Sequence, residues 1–289
     1  MDVSVIIVNY NTQALTQACI DSIYEQTRDV TFEVIVIDNA STDGSKETFE
    51  KDSKIRYVYS YENLGFGRAN NVGMMLAKGD YFFLLNSDTL LRNNALKLFY
   101  EYAKKNKGKA FYGCWLENME GEWVHSCSHK LTIGGLFRSA MIRYWKFLSG
   151  KKPIESVWNI PHTSEEALEV GDVTGADLFL HRSVYEETGG FDHRFFLYYE
   201  ETDWEYRGHA KGIKSICING PRIVHLEGGS QQTKGVNWRK LRIMYRSEEF
   251  FVRKHFSRLK YGAYKLFHIV TTGVPLFMLE QVKKRSLSK

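Results

Sequence analysis

The chain has 289 residues, 43% hydrophobic and 14% aromatic, enough apolar side chain for one large α/β domain or a domain with an appendage. Its four cysteines (Cys19, Cys114, Cys127, Cys217) make no CxxC pair and no zinc spacing, which excludes a disulfide framework and points to a reduced, cytosolic protein. The net charge of +5 hides a split: from Arg239 onward 13 Lys and Arg face three Glu, a balance of +10, leaving −5 on the preceding 238 residues. An acidic body without a recognisable nucleic-acid module argues against nucleic acid as partner, and a basic tail of this kind suits anionic lipid.

Met1 leads straight into Val3 to Val8, an apolar run without alternation, so no signal peptide is expected. That run reads as a strand ending at Asn9-Tyr10-Asn11, followed by a helix from about Thr12 on the spacing of Leu15, Ala18, Cys19, Ser22 and Ile23. Phe32 to Ile37 is a second buried strand, closed by Asp38-Asn39-Ala40-Ser41-Thr42-Asp43-Gly44-Ser45, and Ile55 to Ser60 a third. Strand and helix alternate in the order of a parallel α/β unit. After Asn63-Leu64-Gly65-Phe66-Gly67-Arg68 a helix carries Ala69, Val72 and Leu76, with Gly79 expected as its C-terminal cap.

Tyr81 to Leu85 is too short for a helix and stops at Asn86-Ser87-Asp88. In open α/β sheets ligands bind off the carboxyl ends of strands, and a sparse oxygen site there suits Mg²⁺ or Mn²⁺, which take further ligands from water and phosphates. Asp88 as a mere helix cap is the weaker reading, because Asn93 stands closer to the helical pattern Ala95, Leu98, Phe99, Tyr102. Three strand ends that stop in polar residues suggest a pocket on one edge. Asp38 there can accept hydrogen bonds from a base or ribose, and Arg68 can point at a diphosphate.

Ala110 to Leu116 reads as a strand, 117–169 as irregular with mobile segments over the site, and Val173 to Leu180 as another strand. His125, His129 and His162 have no metal spacing and read as surface residues. Glu200, Glu201 and Asp203 open a helix ending near Gly212; acids there favour the positive end of the helix dipole and are also candidates for a general base. His225 ends Arg222-Ile223-Val224, just before Glu227-Gly228-Gly229-Ser230. Tyr261 to Glu280 is apolar but holds Lys265, His268 and Pro275, which suits a segment lying on a membrane or packed on the domain rather than one crossing it.

VSVIIVNYN, VIVIDNASTDGS, NLGFGRANNVG, YFFLLNSD, GGFDHRFFLYYEETDW and VHLEGGS, in that order over roughly 3–253, resemble family 2 glycosyltransferases, with most similarity to bacterial rhamnosyltransferase-like members. The resemblance implies a GT-A fold: an α/β catalytic domain over 1–235, with a mostly parallel nucleotide-binding sheet flanked by helices in a nucleotide half (about 1–100) and an acceptor half (about 101–235). A basic helical extension over 236–289 follows. It implies inverting transfer of one sugar from a nucleoside-diphosphate-sugar, dTDP-rhamnose among the candidates, to a glycan or polyprenyl-linked acceptor. The setting would be the inner face of the cell membrane in surface polysaccharide synthesis.

The donor is then expected on Asn9, Tyr10, Asp38, Asn39, Arg68 and Ser87, and one Mg²⁺ or Mn²⁺ on Asp88 and His225 with Asn86 beside them. Gly175-Ala176 would border donor sugar and acceptor. Glu201 stands where relatives carry an Asp base, one methylene longer, with Asp203 as its rival. Asn86 replaces an Asp of many relatives. The absence of a QxxRW-like motif argues against a processive synthase. A nucleotidyltransferase would want a Gly-rich basic loop after the first strand, which Asn9 to Thr12 does not offer; retention of Asp88, Glu201 and His225 argues against a dead binding scaffold.

Overall fold

The computed structural model describes residues 1–107, 109–149, 158–226, 238–269 and 271; the expected boundary at 235/236, Glu227 to Ser230, and Pro275 to Glu280 lie outside the described residues. The first part alternates as the apolar runs require: β1 (Val3–Asn9), α1 (Gln13–Gln26), β2 (Phe32–Asp38), α2 (Ser45–Phe49), β3 (Ile55–Tyr59), α3 (Phe66–Leu76) and β4 (Tyr81–Asn86). These four strands pair in parallel in the order β3-β2-β1-β4. Asn9 stands opposite Asp38 and Val8 opposite Asn86, so three polar strand ends share one edge. The chain steps outward from β1 to β3 and returns on the other side for β4, which makes the β1/β4 gap a switch point where a crevice opens.

The second part holds β5 (Thr89–Leu91), α4 (Ala95–Lys105), β6 (Ala110–Glu117), β7 (Cys127–Ser128), α5 (Ile133–Leu148), β8 (Ala167–Val170), β9 (Asp172–Val173), β10 (Asp177–His181), α6 (Arg182–Thr188), α7 (Glu200–His209), β11 (Lys214–His225), α8 (Trp238–His255) and α9 (Arg258–His268). The sheet continues from β4 as β10-β6-β11-β5, with β8 on β11; β7 and β9 form a small separate ladder. β10 runs antiparallel to β4 and β6, whereas β11 is parallel to β6. His225 therefore ends on the same edge as Asn86, opposite Thr89 of β5.

The unalternating apolar strands are buried on both faces. Tyr81, Phe83 and Leu85 join one core layer with Val5, Ile7 and Phe99, while Phe82 and Leu84 join the other with Ile6, Phe111 and Trp204. Each such side chain contributes roughly 1.5–3 kcal/mol of burial.

Four local expectations are corrected. Gly79 does not cap α3, which ends at Leu76; a Cβ there would lie 2.5 Å from the Ser4 nitrogen, so glycine permits a close backbone approach. Asn93 does not cap α4: its amide donates to the Gly220 carbonyl at 2.8 Å and accepts from the Arg222 N–H at 3.0 Å, tying the helix start to β11. The stretch 117–169 contains the 16-residue α5. Val173 to Leu180 is two strands, because the chain leaves β9 at Thr174, whose N–H donates to Ser126, before pairing with β4 from Asp177.

The chain forms two compact units, 1–129 with 160–247 and 130–159 with 248–289. In the second, Phe137 of α5 meets Phe267 of α9 edge-on at 4.9 Å, and the buried Tyr264 hydroxyl donates to Glu248 at 2.8 Å.

Candidate active site

The first unit carries the site on the carboxyl edge of its sheet. Asn9 and Asp38 are fully buried there, and their side chains meet: Asn9 Nδ2 donates to Asp38 Oδ2 at 3.3 Å and to Ser41 Oγ at 3.0 Å. Asp38 also accepts from Tyr57 Oη at 2.7 Å and the Ser41 N–H at 2.8 Å. Asn9 Oδ1 accepts from Thr12 and Thr16, and the Thr12 and Ser87 hydroxyls lie 3.1 Å apart. The Asp38 carboxylate expected to meet a base or ribose thus has both oxygens committed internally, and it shapes the β2 turn.

Asn39 is likewise committed, accepting from the Leu64 N–H at 2.7 Å and donating to Asn63 at 3.0 Å. It pins the loop leading to Gly65. Arg68 faces Glu62 at 3.4 Å, both exposed, rather than pointing alone at a phosphate position. Of the expected donor residues Tyr10 and Arg68 are the exposed ones, Tyr10 at 47% just after the end of β1.

Asp88 and His225 come together. His225 Nε2 lies 3.4 Å from Asp88 Oδ1, and the Leu226 N–H donates to the Asp88 carbonyl at 2.9 Å. Asn86 sits two residues before Asp88, its N–H held by the Ala176 carbonyl at 2.9 Å. Among the described residues no group of three or more His, Cys, Asp or Glu could hold a metal ion. One carboxylate and one imidazole, with an amide nearby, nevertheless fit a sparse Mg²⁺ or Mn²⁺ site completed by water and phosphate.

The start of α7 is built by a tight loop. Tyr198 and Tyr199 adopt left-handed backbone (φ 69° and 67°), uncommon for aromatic residues. Gly65 (φ +80°) packs against this segment; a Cβ there would lie 2.2 Å from the Phe196 carbonyl oxygen, which accepts from the Phe66 N–H at 3.1 Å. Glu201 then projects near Phe66 and Gly175, since a Cβ on Gly175 would lie 3.2 Å from Phe66 and 3.8 Å from Glu201.

Glu201 Oε2 is buried without a hydrogen-bond partner. Burial pushes its carboxyl up to about 7, with the charge of Asp172 adding to the effect. Asp172, on β9, accepts from Thr202 Oγ1 at 2.8 Å. Glu205, one turn after Glu201, is fully buried and accepts from the Val173 N–H and Ser215. Glu200 is also buried, and burial together with Glu201 raises its carboxyl. Asp203 differs: it is fully buried and ion-paired with Arg207 at 2.9 Å.

Sequence reasoning missed Asp172 and Glu205. Glu205 follows Glu201 by four residues, a spacing that marks one helix face, but Asp172 reaches it only through the fold. It also missed Asp177, fully buried opposite Leu85 and pushed up to about 7 by burial, its Oδ2 accepting from the Cys114 N–H at 2.7 Å.

The family model for glycosyl transferase family 2 matches residues 4–188, well over half of the chain. The chain belongs to glycosyl transferase family 2. It is 26% identical over 240 residues to the O-antigen biosynthesis protein RfbC of Myxococcus xanthus, covering 81% of this chain and 18% of that protein. It is 23% identical over 206 residues to the N-acetylglucosaminyl-diphospho-decaprenol L-rhamnosyltransferase of Mycobacterium tuberculosis, covering 66% of each. The chain thus spans less than two thirds of these relatives' length. A crystal structure of GalNAc-T7 with UDP, GalNAc and Mn²⁺ superposes with a TM-score of 0.67 at 15% identity, covering 93% of this chain and 50% of that one. The fold is that of the GT-A glycosyltransferases, with a largely parallel sheet and a helical C-terminal part.

Proposed function

We propose that the chain is an inverting glycosyltransferase that moves one sugar from a nucleoside-diphosphate-sugar to a glycan or lipid-linked acceptor in surface polysaccharide synthesis. The observation that carries this reading is Glu201: a carboxylate oxygen buried without a partner and a carboxyl pushed up to about 7, at a helix start beside Gly175. A group tuned near the working pH is suited to taking a proton.

In this mechanism Glu201 Oε2 takes the acceptor hydroxyl's proton as that oxygen attacks the anomeric carbon, on the face opposite the departing diphosphate. Attack from that face inverts the configuration. Asp203 does not share the task; held by Arg207, it positions the first turn of α7. Asn9, Asp38, Asn39 and Ser87 act as the frame of the nucleotide crevice, while Tyr10 and, once released from Glu62, Arg68 contact the donor. Asp88 and His225, with Asn86 beside them, would hold Mg²⁺ or Mn²⁺, which neutralises charge on the diphosphate when bound.

dTDP-rhamnose is one donor candidate, supported by the name of the mycobacterial relative; the GalNAc-T7 structure with UDP supports a uridine donor equally well. Hydrolysis of a panel of dTDP-, UDP- and GDP-sugars tests the reading. Release of nucleotide from one donor, lost in Asp88→Ala, is the expected result, and no hydrolysis or binding across the panel would sink it.

The same reading seats the second unit on the inner membrane face. Residues 130–159 and 248–289 carry 15 Lys and Arg against four Asp and Glu. α5 exposes Met141, Trp145 and Leu148 at i, i+4 and i+7, and α9 exposes Leu259 and Leu266, with Ile269 exposed just after its end. Apolar stripes on basic helices suit shallow insertion among anionic headgroups. Among the described residues no helix is long and apolar enough to cross a membrane.

A further inference from the structure

We infer that Trp123 is the floor of a subsite for a pyranose ring of the acceptor glycan, an inference that rests on the glycosyl-transfer reading above. The hairpin after β6 carries the residue. Glu117, the last residue of β6, pairs with Val224 of β11 on one side and, antiparallel, with Trp123 on the other. At strand spacings of about 4.8 Å, the Trp123 backbone lies roughly 10 Å from the end of β11, where His225 stands.

The hairpin then runs on to Cys127 and Ser128, which pair with Val173 and Asp172. It therefore lies between the strand ending in His225 and the strand bearing Asp172, whose carboxylate acts on Glu201. Side-chain alternation sets its face. Phe111 and Trp115 of β6 belong to the core layer shared with Trp204 of α7, and Glu117 and its partner Trp123 follow in phase. Trp123 is thus on the α7 face of the sheet, beyond the carboxyl ends, on the side an acceptor chain would leave.

The ring is preset. The His162 imidazole stacks on the indole at 4.1 Å with planes 7° apart, and Trp115 braces His162 edge-on at 5.3 Å. His162 Nε2 lies 3.3 Å from Asn219 Oδ1. One indole face is covered, yet Trp123 remains 49% exposed. A flat apolar plate already fixed in place binds a ligand without ordering cost of its own.

The rim favours a sugar over other occupants. Beside the plate, Arg222 Nη2 contacts both Glu117 oxygens at 3.0 and 3.1 Å, and its exposed guanidinium has further N–H donors. Asn118 and Glu122 bond one another at 3.0 Å across the hairpin, and Met119 is the other exposed apolar residue there. A plate one ring wide inside a hydrogen-bonding border matches the C–H face and hydroxyl rim of a pyranose. A protein or lipid partner would need a broader apolar patch.

Two variants test this, Trp123→Ala and Trp123→Phe, the latter keeping a ring on His162 should the former fail to fold. The probes are β-linked N-acetylglucosamine oligomers and a short-prenyl diphospho-N-acetylglucosamine, read by tryptophan fluorescence titration and by transfer kinetics. Trp123→Ala should raise the probe Kd or KM about tenfold, and Trp123→Phe less, with kcat retained. Hydrolysis of donor by water, which needs no acceptor, should keep its rate in both. Saccharide affinity within twofold of wild type in Trp123→Ala, or a parallel fall in donor hydrolysis, overturns the subsite. If the wild-type protein hydrolyses no nucleotide-sugar, the transfer reading fails separately. The titration then decides alone: saccharide binding that Trp123→Ala abolishes upholds the plate, and no binding by the wild type rejects it.

Discussion

Arg207 grips Asp203 one turn along α7, its Nε 2.9 Å from an Oδ2 that solvent cannot reach. That ion pair separates two acids which sequence alone leaves as rivals. Glu201→Gln keeps size and hydrogen bonding but cannot take a proton, so turnover should fall by ~10²-fold or more while nucleotide binding survives. Asp203→Asn should instead cost ~2 kcal/mol of stability, below the range for fully buried pairs because Arg207 is partly exposed. Paired kinetics and thermal melts check both. A catalytically normal Glu201→Gln beside a folded, dead Asp203→Asn would move the base to Asp203.

The pH profile follows from the raised Glu201 carboxyl. The base works only when ionised, so kcat/KM should rise with pH through about 7 and then level off. Asp172→Asn removes a neighbouring negative charge, so the midpoint should move down. Stability carries the opposite mark. Ionising a carboxyl raised above its unfolded value costs the folded state, with no cost below the unfolded value of 4.5 and the full cost above about 7. Glu201→Gln should therefore melt higher than wild type at pH 8, with the gap closing toward pH 4.

Asp88→Ala and His225→Ala should each weaken nucleoside-diphosphate binding in the presence of Mg²⁺ or Mn²⁺ while the melting temperature of the free protein changes little. The two side chains face each other at the sheet edge, each keeping 14% of its surface exposed. Calorimetry with and without chelator is the check. Binding and transfer unaffected by excess chelator would remove the metal from the reaction.

Gly65→Ala should damage both fold and activity. The residue needs φ +80°, and its added methyl would meet the Phe196 carbonyl at 2.2 Å, backbone that cannot yield without shifting the segment before Glu201. A loss of ~1–3 kcal/mol is expected from strain and overpacking. Gly121→Ala, where nothing lies within 4 Å but φ is +81°, isolates the conformational part, and the difference between their melts measures the clash.

Membrane attachment is testable without truncation. Removing everything after Phe256 would take away Tyr264, which is buried and bonded to Glu248, and so would disrupt the second unit itself. Trp145→Ser, Leu259→Ser and Leu266→Ser alter exposed positions only. The triple variant should keep its fold and lose co-sedimentation with phosphatidylserine vesicles at low salt. Equal sedimentation of both proteins would leave the stripes without a role in lipid binding.

The part of the chain before Asp88 was legible because its information is local. Runs such as Val3 to Val8 and Tyr81 to Leu85 are buried on both faces and so cannot alternate, and the polar residue that ends each run marks where the strand leaves the core. Order and spacing of the motifs were enough for the family. Three things were decided by tertiary structure. Asp38 reads as a ligand-facing carboxylate, but Tyr57 and Asn9, brought from neighbouring strands, both donate to its Oδ2, while the Ser41 N–H of the following turn donates to its Oδ1. Glu201 and Asp203 have the same local setting, and they part only because Arg207 reaches one and Asp172 of β9 acts on the other. Asp88 and His225 lie far apart in the chain and meet because β11 runs parallel to β6 and carries its end to the same edge as β4. Periodicity records which face of a strand is buried; which distant side chain arrives beside it depends on the pairing of strands, and that is a property of the whole sheet.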